Sequence, residues 1–175
     1  ASLDRIRRDI DAKGDMKVSL NIRIQAARIM GANKIEDRDA VLKLISDKEP
    51  RLRLAGVQSL SKIGFGKQKQ KIMSLLADEK DRVTFYTNWQ VMRRLLSEKE
   101  IKSNLSSKQA GLRYMSALAL MEENKFQLDD ALTLAADKDA RNSKLATFWM
   151  SRKRIGRTSI TVKVTERNFK DKSTV

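Results

Sequence analysis

The chain has 175 residues, with 37 Lys and Arg against 22 Asp and Glu, a formal charge of +15. Hydrophobic residues make up 41%, enough to bury a core in one domain, or one domain and the start of another, and too many for general disorder. There is no Cys and no His, which excludes disulfides, zinc–thiolate sites, iron–sulfur clusters, a Cys nucleophile and a Ser-His-Asp triad built from this chain alone.

One Pro and seven Gly favour helices over a loop-rich β protein. No stretch approaches the roughly 18 consecutive apolar residues of a membrane-spanning helix, and no signal-peptide pattern opens the chain. It starts at Ala1 inside an amphipathic pattern, which points to a processed protein or a fragment of a longer one. The missing Cys fits the cytoplasm and an oxidising periplasm equally. Localisation therefore stays open between a cytoplasmic protein and an exported one.

Internal repetition is the strongest signal. Asp15 precedes an apolar helix from Val18 to Met30 that is expected to end at Gly31, as a second ends at Gly64. Asp47, followed by Glu49-Pro50-Arg51, precedes the helix from Leu52 to Ile63. Asp78 precedes a helix through Trp89 and Met92, Ser107 one from Leu112 to Met121, and Asp137 one through Leu145, Phe148 and Trp149. These anchors lie 32, 31, 29 and 30 residues apart. Asp and Ser suit a helix start because their oxygens accept from free backbone N–H groups. Apolar residues recur at helical spacing: Leu52, Ala55, Val57 and Leu60; Val83, Tyr86, Trp89 and Met92; Leu112, Met115, Leu118 and Met121. An apolar helix precedes each anchor as well.

Each unit is thus a helix pair. The predicted first helices are 2–12, 37–46, 67–77, 98–105 and 127–136, the fourth being the weakest. The predicted second helices are 16–30, 51–63, 82–96, 108–123 and 140–155. A pair of this size cannot bury both apolar faces alone, so neighbours must stack. The expected fold class is all-α: a right-handed α-solenoid of about five stacked helix pairs over residues 1–155. Residues 156–175 form a second segment. Ile160, Val162 and Val164 alternate there, which predicts a short β-strand or extended tail, or the first strand of a following β domain.

A helix, then Asp-x-x-x-Arg, then a helix with small residues resembles HEAT repeats, of the short HEAT-like type found in phycobilin-lyase relatives. Pro50-Arg51-Leu52-Arg53 with Ala55 and Leu60 is the best copy. The period is shorter than that of long HEAT units. Ankyrin's Thr-Pro-Leu-His cannot occur without His, and the tetratricopeptide pattern is missing. A narrower resemblance joins the stretches around Asp78–Gln90 and Leu134–Trp149 to the HEAT regions of large exported planctomycete-type proteins. Those combine a dehydrogenase-like propeller with a haem-binding module. The haem motif needs Cys and His, so the resemblance implies the repeat module alone. The motif specifies a fold better than a function.

No catalytic, cofactor-binding or metal-binding motif stands out. Gly64-Phe65-Gly66-Lys67 follows a helix and lacks phosphate-loop spacing. Glu122-Glu123 and Asp129-Asp130 are sequence neighbours that share no helix face. Asn104-Leu105-Ser106 matches a glycosylation acceptor, as chance triplets do. No enzyme and no cofactor are expected. The charge does need an explanation: the tail holds five basic and two acidic residues, leaving +12 on residues 1–155. Much of it falls on second helices, which in HEAT-like proteins usually line the concave face. The candidate partner-binding residues are Arg53, Arg82, Arg93, Arg113, Arg141, Lys144 and Trp149. Trp89, in step with Leu118 and Phe148, reads as core, and Trp149, one place off, as exposed. The expected function is a non-enzymatic scaffold binding an acidic protein surface or a neighbouring domain of a larger polypeptide. The alternative is a nucleic-acid trough. It is similar in outline to HEAT-like DNA glycosylases, whose active-site pattern this chain does not match.

Overall fold

The computed structural model describes residues 2–12 and 16–153. They form ten α-helices, with two short 3₁₀ turns at Gly66–Gln68 and Asn104–Ser106 and no strand among the described residues. No described helix is long and apolar enough to cross a membrane. The expected strand around Ile160–Val164 and the anchor Asp15 lie outside the described residues. The chain divides into two compact units, residues 1–119 and 120–175.

The first unit holds α1 (Leu3–Ile10), α2 (Met16–Ala32), α3 (Arg38–Ile45), α4 (Pro50–Ile63), α5 (Lys69–Ala77), α6 (Arg82–Leu95), α7 (Glu98–Ser103) and most of α8 (Ala110–Glu122). The second contains α9 (Leu128–Ala135) and α10 (Ala140–Arg152). All ten helices fall within a few residues of their expected bounds. The fourth first helix, α7, is the shortest, and Leu105 completes it through the 3₁₀ turn.

Helix starts follow from local chemistry. Asp37 accepts from the Ala40 N–H at 3.1 Å, and Asp81 from the Thr84 N–H at 2.8 Å. Pro50 occupies the first helical position of α4, where its missing N–H costs nothing. Ser97 and Glu100 form a reciprocal capping box at α7.

In the first unit α1 packs on α2, α3 on α4 and α5 on α6, each a first helix on its own second helix. Second helices also pack side by side, α4 lying against α2 and α6. The buried positions repeat with a fixed register. Leu52, Gly56, Val57, Ser59 and Leu60 of α4 correspond to Thr84, Asn88, Trp89, Val91 and Met92 of α6, each 32 residues on. Leu112, Ser116, Ala117, Ala119 and Leu120 of α8 follow, each 28 further. Leu52, Leu60, Met92 and Met115 are fully buried, and burying a side chain of this size contributes about 1.5–3 kcal/mol.

This register corrects four sequence expectations. Val83 and Tyr86 are 61% and 59% exposed. The buried face of α6 uses two polar groups instead. The Thr84 hydroxyl donates to Asp81, and the Asn88 amide donates to the Leu76 carbonyl at the end of α5. Trp89 is buried as expected, but it is in step with Ala117, not Leu118. Gly31 lies inside α2 rather than ending it, and its missing side chain lets α4 approach, since a Cβ there would come within 2.9 Å of the Ser59 Cα. The left-handed residue after α2 is Lys34 (φ 51°), where the Lys34 and Ile35 N–H groups donate to the Gly31 and Met30 carbonyls, as Asn124 (φ 56°) and Lys125 do after α8.

The third anchor is Glu79, not Asp78. Asp47 and Asp137 each accept from the N–H two residues on, as does the Ser107 hydroxyl, and at the equivalent place Glu79 accepts from Asp81. With Glu79 the anchors are 32, 28 and 30 residues apart, the first two being the steps of the buried positions. Anchors of this kind pin the turn, while Glu49, Asp81 and Asp139 cap the helices themselves.

Candidate binding surface

The charged residues separate into two groups, one engaged inside the fold and one facing solvent. Arg53 belongs to the first. Its guanidinium donates from Nε and Nη2 to the Glu79 carboxylate, both at 2.7 Å, and from Nη1 to the Asp47 and Lys48 carbonyls. Side-chain exposure is 18% for Arg53 and 4% for Glu79. Burial alone would raise the Glu79 pKa, but Arg53 and the Asp81 N–H outweigh it and hold the carboxyl below the usual range.

Arg23 repeats the device, binding the Ile10 carbonyl at 2.6 Å and Asp47 at 2.5 Å. Arg113 donates to the Ser107 and Lys108 carbonyls, as Arg53 does to its own turn. Phe85 takes this position in α6, and its ring lies 5.9 Å from Tyr114. Arg53 and Arg113 therefore clamp the turns between helices, each donating to two backbone carbonyls. The Asp-x-x-x-Arg repetition seen in the sequence involves other arginines: Arg51 and Arg141 pair with Glu49 and Asp139 at their own helix starts, and Arg82 is exposed.

First helices are tied in a similar way. Arg7 reaches Asp37 at 2.6 Å, Lys43 reaches Asp11 at 2.8 Å, Gln68 reaches Asp39 at 2.8 Å and Lys69 reaches Glu100. Burial would raise the Asp37 pKa, yet Arg7 and the Ala40 N–H keep it lowered. Lys69, then the Ser97 hydroxyl and N–H, lower Glu100 to about 2. An open groove beside α1 and α3, lined by Leu3, Arg7, Asp37, Asp39 and Gln68, consists largely of these engaged groups. Among the described residues no cluster of carboxylates is placed to hold a metal ion.

The other expected contact residues are distributed as follows. Arg82 is exposed in the first turn of α6, and Arg93 is half-buried in its last turn beside exposed Arg94. Arg141 is exposed and bound to Asp139 at 3.1 Å. Lys144 is exposed on α10. Trp149 is half-buried, its ring edge-on to Phe126 at 5.1 Å. The exposed aromatic is Phe148, 61% accessible, with the Arg152 guanidinium 5.8 Å from its ring centre. The sequence register placed these two aromatics the wrong way round.

Sequence reasoning counted Lys62 and Arg94 among the basic residues of second helices but did not group them with Arg28. All three are exposed and have no ion-pair partner among the described residues. The Ser59 hydroxyl donates to the Ala27 carbonyl at 2.6 Å, which joins α4 to α2 next to Arg28. Arg28 and Lys62 flank a notch of about 70 Å³ over Gly31, Gln58 and Ser59. The 32-residue register then sets Lys62 level with Arg94. Toward the other ends of the same helices the register sets half-buried Leu54 level with Tyr86, and exposed Ile22 and Val83 lie in the same N-terminal halves. Solvent-facing cations thus recur toward the C-terminal ends of α2, α4 and α6. The signal in the sequence was the equivalence of buried positions, which becomes usable once Glu79 replaces Asp78 as anchor.

No family profile, no curated protein and no solved structure matches this chain.

Proposed function

We propose that the chain is a short-period HEAT-like solenoid module whose work is binding rather than catalysis. Its partner on this reading is an acidic protein surface or a neighbouring domain of a larger polypeptide. The recurring burial register and turn clamp support the repeat assignment. The observation that carries the function is the contrast in charge use. Several cations at the turns and on first helices, among them Arg7, Arg53 and Lys69, are paired within the fold, whereas Arg28, Lys62 and Arg94 on three second helices are exposed with no ion-pair partner among the described residues. With a net charge of +15, such cations attract acidic groups and speed their encounter.

The test is fluorescence anisotropy with labelled polyglutamate and with single- and double-stranded DNA across a salt series. The reading predicts polyglutamate binding that weakens with salt and DNA binding no tighter. The same unpaired cations give a nucleic-acid reading its support, and tighter DNA binding with a steep salt slope would put that reading first.

A further inference from the structure

Resting on the binding reading just given, we infer that the notch between α2 and α4 is a site for one phosphate-sized dianion, a phosphomonoester or free phosphate. Arg28, Gly31, Gln58, Ser59 and Lys62 line it. Gly31 leaves its floor open, since a Cβ there would run into Ser59 of α4. The volume is about 70 Å³. A water needs on the order of 10–15 Å³, so the notch admits about five water-sized groups, roughly the bulk of a phosphate.

The lining carries two cations, an amide and no carboxylate. The two larger grooves beside α1 and α3 differ. Asp37 and Asp39 line both, and their cations are engaged, Arg7 by Asp37 and Lys43 by Asp11. Among the described residues neither Arg28 nor Lys62 has an ion-pair partner. α2, α4 and α6 contain no Asp or Glu, so no carboxylate of these helices competes for the notch. Lys62 lies in the last turn of α4, where a cation offsets the helix dipole. Arg28 lies before the last turn of α2, and the dipole does not account for it.

Charge and donor directions select the ligand. A phosphomonoester carries about −1.5 to −2 near pH 7, which two cations neutralise, whereas a carboxylate or a backbone phosphodiester brings a single charge. A guanidinium from α2 and an ammonium and an amide from α4 offer N–H donors from different sides, and a tetrahedral oxyanion presents acceptors to all of them.

The experiment follows backbone amide NMR shifts of the full chain at constant ionic strength. The probes are inorganic phosphate, a phosphoserine peptide and its unphosphorylated form, dimethyl phosphate and acetate, with polyglutamate and oligo-dT as separate arms. Phosphate is expected to give saturable shifts around Gly31 and Gln58 with a Kd of about 1 mM, at least about fivefold tighter than acetate or dimethyl phosphate. The phosphopeptide should bind more tightly than its unphosphorylated form. Affinity above that of free phosphate would assign the group to a phosphorylated partner, and affinity below it to the free ion, either supporting the site. With no His in the chain, no side chain of ordinary pKa titrates between about pH 5 and 8. A rise in phosphate affinity of about threefold or more over that interval therefore reports the second ionisation of the ligand, near about pH 6. Arg28→Gln and Lys62→Gln should each weaken binding about threefold or more, and Gln58→Glu should abolish saturation. Lys71→Gln, exposed on α5, should leave it unchanged. All four positions are exposed, and circular dichroism checks that each variant is folded. A flat pH profile, acetate binding as tightly as phosphate, or unchanged affinity in Gln58→Glu would overturn this inference. Tighter binding of dimethyl phosphate and oligo-dT at these amides would overturn it in favour of a nucleic-acid backbone. If polyglutamate binds and phosphate does not, the inference alone fails. If neither binds, the basic-surface reading fails with it.

Discussion

Arg53 shows how one side chain sets the spacing of a repeat. It joins the turn before its own helix to the anchor Glu79 of the next turn. Removing it strands a carboxylate that is almost fully enclosed. Arg53→Met should therefore destabilise the chain by about 3 kcal/mol in urea unfolding, and the Arg53→Met, Glu79→Gln double variant should recover much of that loss. A second contact of this kind is backbone to backbone. A Cβ on Gly111 would stand 2.0 Å from the Ala77 carbonyl oxygen, so Gly111→Ala should cost about 1–3 kcal/mol by forcing α8 away from α5. The aromatic pair on α10 gives a contrast. Phe148→Ser should change stability by no more than about 0.5 kcal/mol, whereas Trp149→Ala removes the packing on Phe126 and should lower the stability of its unit measurably.

At the scale of elements, the carboxylates that tie helices together set the pH response. Asp37, Asp47 and Glu79 are all held below their ordinary values. A lowered folded-state pKa means that the unfolded chain binds the proton more readily. These groups therefore stabilise fully above the ordinary carboxylate range of about 4. The stability is lost as pH falls from there through the lower folded values. With no His, no side chain of ordinary pKa titrates between about pH 5 and 8. Tm should be flat over that interval and fall below about pH 4, and Glu79→Gln should reduce the acid-induced fall.

The elements themselves were legible in the sequence because apolar periodicity, caps and the Pro50 start act locally. The buried face of α6 was not. Thr84 and Asn88 enter the core only because Asp81 and the Leu76 carbonyl satisfy them, and no periodicity reports such partners. That error shifted the register and exchanged Phe148 with Trp149. It also hid the recurrence of Arg28, Lys62 and Arg94, which shows only across helices. Conversely, Arg53 and Arg113 looked like free cations because sequence does not reveal which guanidinium bonds to a turn.

For the whole molecule, the positive charge serves two purposes that composition alone merges. One part, including Arg7, Arg23 and Arg53, holds turns and helices in step, and another faces solvent, with Arg28, Lys62 and Arg94 of α2, α4 and α6 among it. The central claim is that this second part is the working surface. Its most direct test is the backbone amide NMR spectrum of the chain titrated with polyglutamate at low salt. The account predicts saturable shifts concentrated around Arg28, Lys62, Arg93 and Arg94. Shifts concentrated on α1, α3 and α5, or spread evenly over every exposed lysine and arginine, would contradict it.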